Sequence, residues 1–285
     1  MSELPFERLF SMGAFDGLLC IRKQALISEG LEATKIVEIV RNIDSDAGGL
    51  DFEAALFLEE CVDSTAPIDV PHEFYRCCIA KVILSQKMSW ARSITLGRDK
   101  LLKQLSRDEH QCFRSARLLE LPPSDDVVAW WDELSSQMRL INDQNKLERA
   151  RKAEKLSLEY ELARLQKLGI ANLPRWISID DNTVGYDILS YDPGEFGPVN
   201  RLIEVKSTIA SPLRFFITRN EWEQALKFGG AYHFHIWQLV ATPPQLHQRT
   251  VSQILPHIPN DNEDGKWTVA EIPVGSNNGS NNKDS

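Results

Sequence analysis

Residues 185–206 read GYDILSYDPGEFGPVNRLIEVK: two apolar segments that each carry an acidic residue, joined by a turn rich in Pro and Gly. In the second segment, Arg201-Leu-Ile-Glu-Val-Lys206, strand alternation puts Leu202, Glu204 and Lys206 on one face and Ile203 and Val205 on the other. An otherwise apolar strand thus presents a carboxylate and an ammonium side by side. In the first segment, Gly185-Tyr-Asp-Ile188, Asp187 precedes Glu204 by about the span of two antiparallel neighbours and their loop. Such a hairpin lets the two carboxylates converge.

Working outward, the period stays that of strands at 176–179, 185–191, 201–207, 214–217 and 232–240. Between the last two, Thr218-Arg-Asn-Glu221 is a capping box and Gly229-Gly230 a stop, so 219–228 is predicted as a helix. Before the first strand, Ser124 to Asp126 caps a helical pattern over 127–168 that Gly169 ends. The order is helix, three or four strands, helix, strand. This is an α/β (α+β) core with a mixed sheet of the αβββαβ kind.

The N-terminal region is helical by pattern, with breaks at Gly30, at residues 45–49, at 66–71 and at Gly97. Ser106-Arg-Asp-Glu109 is a second capping box there. The expected organisation is a helical domain at 1–122, a charge-rich connecting helix at 123–153, the α/β domain at 154–274 and a disordered tail at 275–285. The chain has 285 residues, 42% of them hydrophobic, and a formal net charge of −9. That charge excludes a protein coated with cations for broad phosphate binding, because each neutralised phosphate needs a local cation. A local patch of Arg175, Arg201, Arg214, Arg219 and Lys227 remains compatible with nucleic acid. No stretch reaches the roughly 20 apolar residues of a membrane helix, and the first residues carry no secretory pattern. A cytoplasmic protein without a membrane partner is expected. Five cysteines show no zinc-type spacing and read as reduced core residues.

Asp187, Glu204 and Lys206 are the candidate catalytic residues, the two carboxylates also being the candidate metal ligands. Two carboxylates hold a hard cation through oxygen, and a lysine orients water or stabilises charge during phosphodiester hydrolysis. The expected cation is Mg²⁺ or Mn²⁺, bridged by the pair at oxygen distances of about 2.0 to 2.6 Å. On the preceding helix, projected at about 100° per residue, Glu154 and Glu161 fall within the apolar arc formed by Leu158, Leu162, Leu165 and Leu168. Glu161 is the better candidate to assist the site, whereas Glu154 reads either as facing the sheet or as lying at a solvated end of the arc. Gln224 reads either as a phosphate neighbour or as a solvent-facing residue. His233 and His235 read as a partly exposed strand face, and Trp130 and Trp131 as packing residues.

The segments LEYELARLQKLGI, WISIDDNTVGYDILSYD, RLIEVKST, FFITRNEWEQA and AYHFHIWQL together resemble the Protein NO VEIN C-terminal domain family, grouped with PD-(D/E)xK nuclease-like folds. The resemblance covers roughly residues 154–240. It implies a restriction-endonuclease-like core in which Asp187 and Glu204 are the acidic pair and Lys206 the motif lysine. The family is often found in proteins linked to bacterial defence against foreign DNA. The first reading is a Mg²⁺-dependent endonuclease acting on DNA, in which the N-terminal helices, outside the resemblance, engage a target or protein partner. A second reading keeps the scaffold without catalysis, as a module that binds nucleic acid or protein.

Overall fold

The computed structural model describes residues 4–275 other than 87, 89, 182 and 264. The chain divides into two compact units, Met1–Asp143 and Gln144–Ser285. The division falls within one helix, Asp125–Leu168. Gly169, with φ +71°, ends that helix where its sequence predicts, because a left-handed position after the last turn suits a residue without Cβ. The proposed tail lies, from residue 276 on, outside the described residues. No helix among them is long and apolar enough to cross a membrane.

The N-terminal unit is helical. Ser11 caps Met12–Ile27 by accepting from the Ala14 N–H at 3.2 Å. Pro71 opens Pro71–Ser85, and the Ser106–Glu109 capping box opens Arg107–Ser115. Phe10, Phe15, Phe74 and Phe113 are buried at the centre of this unit. Trp130 and Trp131 pack against the same core, Trp131 stacking on Phe113 with ring centroids 5.8 Å apart.

The C-terminal unit holds seven strands among its described residues: β1 Arg175–Trp176, β2 Ile188–Asp192, β3 Val199–Thr208, β4 Arg214–Thr218, β5 Tyr232–Gln238, β6 Gln245–Thr250 and β7 Val269–Pro273. Five form one mixed sheet in the order β1-β2-β3-β5-β6, and β4 pairs with β7 apart from it. β3 and β5 run parallel, so the chain between them must cross over, and it does so through the helix Arg219–Phe228. One sheet face packs Leu202, Phe234 and Ile236 with Trp222 of that helix. The other packs Ile203, Val205 and Trp237 with Ala153 of the long helix.

Two expected strands differ from what forms. Only Arg175–Trp176 of the first is extended, and one helical turn, Ile177–Asp180, follows it. The chain bends there because the N–H groups of both Ile177 and Ser178 donate to the Asp187 carbonyl, at 2.8 and 3.2 Å. The second begins at Ile188 and not at Gly185, whose φ is +84°. β6 and β7 are additions that the strand pattern does not mark.

Candidate active site

Alternation along β2 turns Ile188 and Ser190 toward the long helix and Leu189 toward the other face, where Leu189 packs with Leu202. Asp187, just before β2, feels the charges of Lys206 and Glu221 on that second face and of Glu154. The pairing of Ile188 with Ile203 and Leu189 with Leu202 brings Asp187 to the Glu204 end of β3, near enough that each carboxylate feels the charge of this site. The Asp187 N–H donates to the Ile203 carbonyl at 2.9 Å, one residue out of the β2–β3 register, so the regular ladder ends there. Its side chain then replaces the backbone as acceptor: Asp187 Oδ2 takes the Val205 N–H at 2.7 Å. The carboxylate is thereby fixed beside Glu204 by the sheet itself.

Glu204 is buried at 5% exposure. Lys206 Nζ lies 2.7 Å from Glu204 Oε1 and 2.8 Å from Glu221 Oε2. Tyr232, next door on β5, donates its hydroxyl to the Gly185 carbonyl at 2.8 Å and reaches Glu204 Oε2 at 3.3 Å. The pocket therefore gathers three carboxylates, Asp187, Glu204 and Glu221, around one ammonium. Burial pushes Glu204 up to about 8, against Lys206, with Asp187 and Glu221 pushing the same way. Burial likewise raises Asp187 to about 6, opposed by the Val205 N–H and aided by the charge of Glu154. Burial alone would lower Lys206, but Glu204 and Glu221 outweigh it and hold the ammonium above its usual value.

Three carboxylates, one of them buried, against one ammonium suit a hard cation. The oxygens of Asp187 and Glu204 are of the right kind for Mg²⁺, which takes one or two carboxylates and completes its shell with water and phosphate. Among the described residues no group of three or more His, Cys, Asp or Glu side chains is arranged to hold a metal. The donor set thus fits an open two-carboxylate site and not a closed protein cage.

The expected position of Glu161 is corrected. It is fully buried, yet under the opposite face of the sheet from Lys206. There Glu161 Oε2 accepts from Arg164 Nε at 2.8 Å and from Ser190 Oγ at 2.6 Å. Arg201 and His235 approach its other oxygen at 3.8 and 3.6 Å. The long helix covers the face bearing Ile203 and Val205, so a residue pointing from it into the sheet meets Arg201 and not its neighbours Glu204 and Lys206. Glu154, for which the sequence leaves both an inward and a solvated position open, is buried. It accepts from Ser178 Oγ at 2.6 Å and Arg151 Nη1 at 2.9 Å, and also from Trp176 Nε1.

His235 is likewise not part of an exposed face. Its ring lies wholly under the long helix, Nδ1 3.3 Å from Ser157 Oγ, and burial together with Arg201 holds it well below the usual imidazole range. Ser157, His235 and Glu161 resemble a nucleophile, base and orienting acid. All three are fully buried, so no substrate reaches them. Gln224 leans over the turn before Asp187: a Cβ on Gly185 would fall 2.5 Å from Gln224 Cγ. Most of the proposed basic patch is cancelled by acids. Arg201 pairs with Asp192, Arg214 with Glu271 and Arg219 with Asp261 and Glu223.

Sequence reasoning missed Tyr232 and Glu221. Tyr232 is in phase with Phe234 and Ile236 and looks like core. Glu221 had a visible role as the last residue of the capping box, where its Oε2 also accepts from the Thr218 N–H at 3.0 Å.

A mixed-sheet domain with a buried acid–lysine pocket at adjacent antiparallel strands is the class these features define. Residues 153–248 match the family model described as Protein NO VEIN, C-terminal, about a third of the chain. No curated protein and no solved structure matches the chain.

Burial of Glu204 carries a measurable consequence for stability. A carboxyl whose pKa rises from 4.5 to about 8 on folding binds more protons in the folded state, so stability falls as pH rises through that window. Asp187 adds in the same direction between 3.8 and about 6. Glu204→Gln is therefore expected to lose less stability than the wild type between pH 5 and pH 9, read as urea midpoints. Equal losses in both proteins would show that Glu204 titrates as an ordinary carboxylate.

Proposed function

We propose that the C-terminal unit is a Mg²⁺- or Mn²⁺-dependent phosphodiesterase acting on nucleic acid, with DNA as its substrate. The observation that carries this reading is the contact of Lys206 Nζ with the buried Glu204 Oε1 at 2.7 Å, with the Asp187 carboxylate held on the adjacent Val205 N–H. Asp187 and Glu204 would hold the cation, which supplies charge neutralisation at the phosphoryl group and a more acidic water. Lys206 stands where it orients the attacking water or meets charge developing on phosphate oxygens. Glu221 and Tyr232 position Lys206 and Glu204 respectively. Gln224 borders the same pocket from the helix.

Ionisation of the pair is needed before a cation can bind, so activity should rise with pH across the range set by Asp187 and Glu204. The paired arginines favour a second reading, a non-catalytic module, because few cations are left for phosphate. Incubation of the full chain with double-stranded DNA, single-stranded DNA and RNA, in Mg²⁺ or Mn²⁺ against EDTA, separates the two. Cleavage of DNA that stops in EDTA is expected, and Asp187→Asn should need about tenfold or more Mg²⁺ for the same rate, the scale on which lost support of a metal site acts. Intact DNA under every metal condition would leave the binding module in its place.

A further inference from the structure

The N-terminal unit carries a cavity remote in function from the acid–lysine pocket. Its volume is about 550 Å³, which lies inside the range of roughly 300 to 1,000 Å³ typical of small-molecule sites. One wall belongs to the helix Asp125–Leu168, where Trp131, Ser135 and Arg139 follow one another at four-residue steps and so share a face, with Asp132 beside them. The other wall is the 3-10 segment Ala91–Leu96 and its exit, contributing Thr95 and Arg98.

Arg98 Nη1 donates to the carbonyls of Leu118 and Glu120 at 3.4 and 3.3 Å, which orients the guanidinium without neutralising it. Neither Arg98 nor Arg139 has a carboxylate at ion-pair distance among the described residues. The indole of Trp131 is held between Phe113, stacked on it at 5.8 Å, and the edge of Trp130 at 5.1 Å. Its nitrogen is buried and has no acceptor. A rigid aromatic wall, two open guanidiniums, two hydroxyls and one carboxylate therefore surround a space of small-molecule size.

We infer that this cavity binds a mononucleotide. Two guanidiniums suit a phosphate, which they bind through charge-assisted and bidentate hydrogen bonds. The apolar wall of Ile94 and Val128, with the edge of Trp131, takes the base. Asp132 repels a bare anion but accepts from sugar hydroxyls, and Ser135 and Thr95 supply further sugar contacts. The composition thus favours a phosphate attached to a ribose and a planar ring over inorganic phosphate alone. Nothing in this assignment depends on the phosphodiesterase reading.

Isothermal titration of the full chain with AMP tests it, in EDTA so that no cation draws phosphate to the acid–lysine pocket. One AMP per chain is expected, with inorganic phosphate and adenosine each binding more weakly. Arg98→Ala and Arg139→Ala should each weaken AMP by roughly tenfold or more, about the loss of one charge-assisted contact. Lys206→Ala should bind as the wild type does. If Arg98→Ala fails to fold by circular dichroism, Arg139→Ala, whose side chain is exposed, decides alone. No AMP binding at millimolar concentration, binding indifferent to the arginine substitutions, or binding lost in Lys206→Ala would each overturn the inference.

Discussion

Lys206→Ala should lower the rate of DNA cleavage by about 10² to 10⁴, the usual contribution of a general acid–base or charge-stabilising group, roughly 3 to 5 kcal/mol of barrier. Substrate binding should change little. The ammonium sits between Glu204 and Glu221, 18% exposed, where bulk water cannot take over its role. Its loss leaves the buried Glu204 and the half-buried Glu221 with no cation between them, so Glu204 should shift further up and the pH at which activity appears should rise with it. Added Mg²⁺ should partly rescue Asp187→Asn but not Lys206→Ala, because only the first acts through the cation. Single-turnover cleavage with and without excess Mg²⁺ measures both. Equal rates for wild type and Lys206→Ala would make the Glu-Val-Lys segment scaffold.

Under the other sheet face, Arg164→Met should destabilise the protein by about 3 to 5 kcal/mol, the usual result of stranding one partner of a buried ion pair. Arg164 bonds Glu161 at 2.8 Å and Asp192 at 2.6 Å, and also reaches the Tyr191 carbonyl. Without it, a carboxylate with no solvent exposure keeps only Ser190 and the longer approaches of Arg201 and His235. The double variant Glu161→Gln with Arg164→Met should recover much of the loss, since the stranded charge is gone. Urea unfolding of the two variants decides this. A loss below about 1 kcal/mol for Arg164→Met would mean that Arg201 already neutralises Glu161.

The helix Arg219–Phe228 forms at the residues its sequence marks, because both of its ends are written in local chemistry: a capping box at one and a glycine pair at the other. β3 was legible for a similar reason, through the two-residue period that puts Ile203 and Val205 on one face and Leu202, Glu204 and Lys206 on the other. β6 and β7 were not, since Gln-Leu-His-Gln-Arg-Thr is a polar edge strand and β7 gains its partner, β4, from more than fifty residues earlier. Pairings of that range leave no local signal. The onset of β2 was misjudged because the Asp187 carboxylate takes a hydrogen bond that periodicity assigns to backbone.

The acid–lysine pocket was legible as a pattern of residue types. The companion glutamates were not, because helical spacing reports burial but not which side of a sheet a residue meets when both sides are covered. Glu161 and Glu154 both point inward, one onto arginines and the other toward the end of the sheet where Asp187 lies. Tyr232 was hidden by resembling its apolar neighbours.

One oxygen, Glu221 Oε2, accepts from both the Thr218 N–H at 3.0 Å and Lys206 Nζ at 2.8 Å. The first turn of a helix and the ammonium of a neighbouring strand therefore share a single clasp. A sequence change that frays that turn, at Thr218 for instance, reaches Lys206 without touching it. The local grammar that starts the helix is also what keeps the lysine in register, so the pocket can be retuned from a surface position that no inventory of its contacting atoms would name.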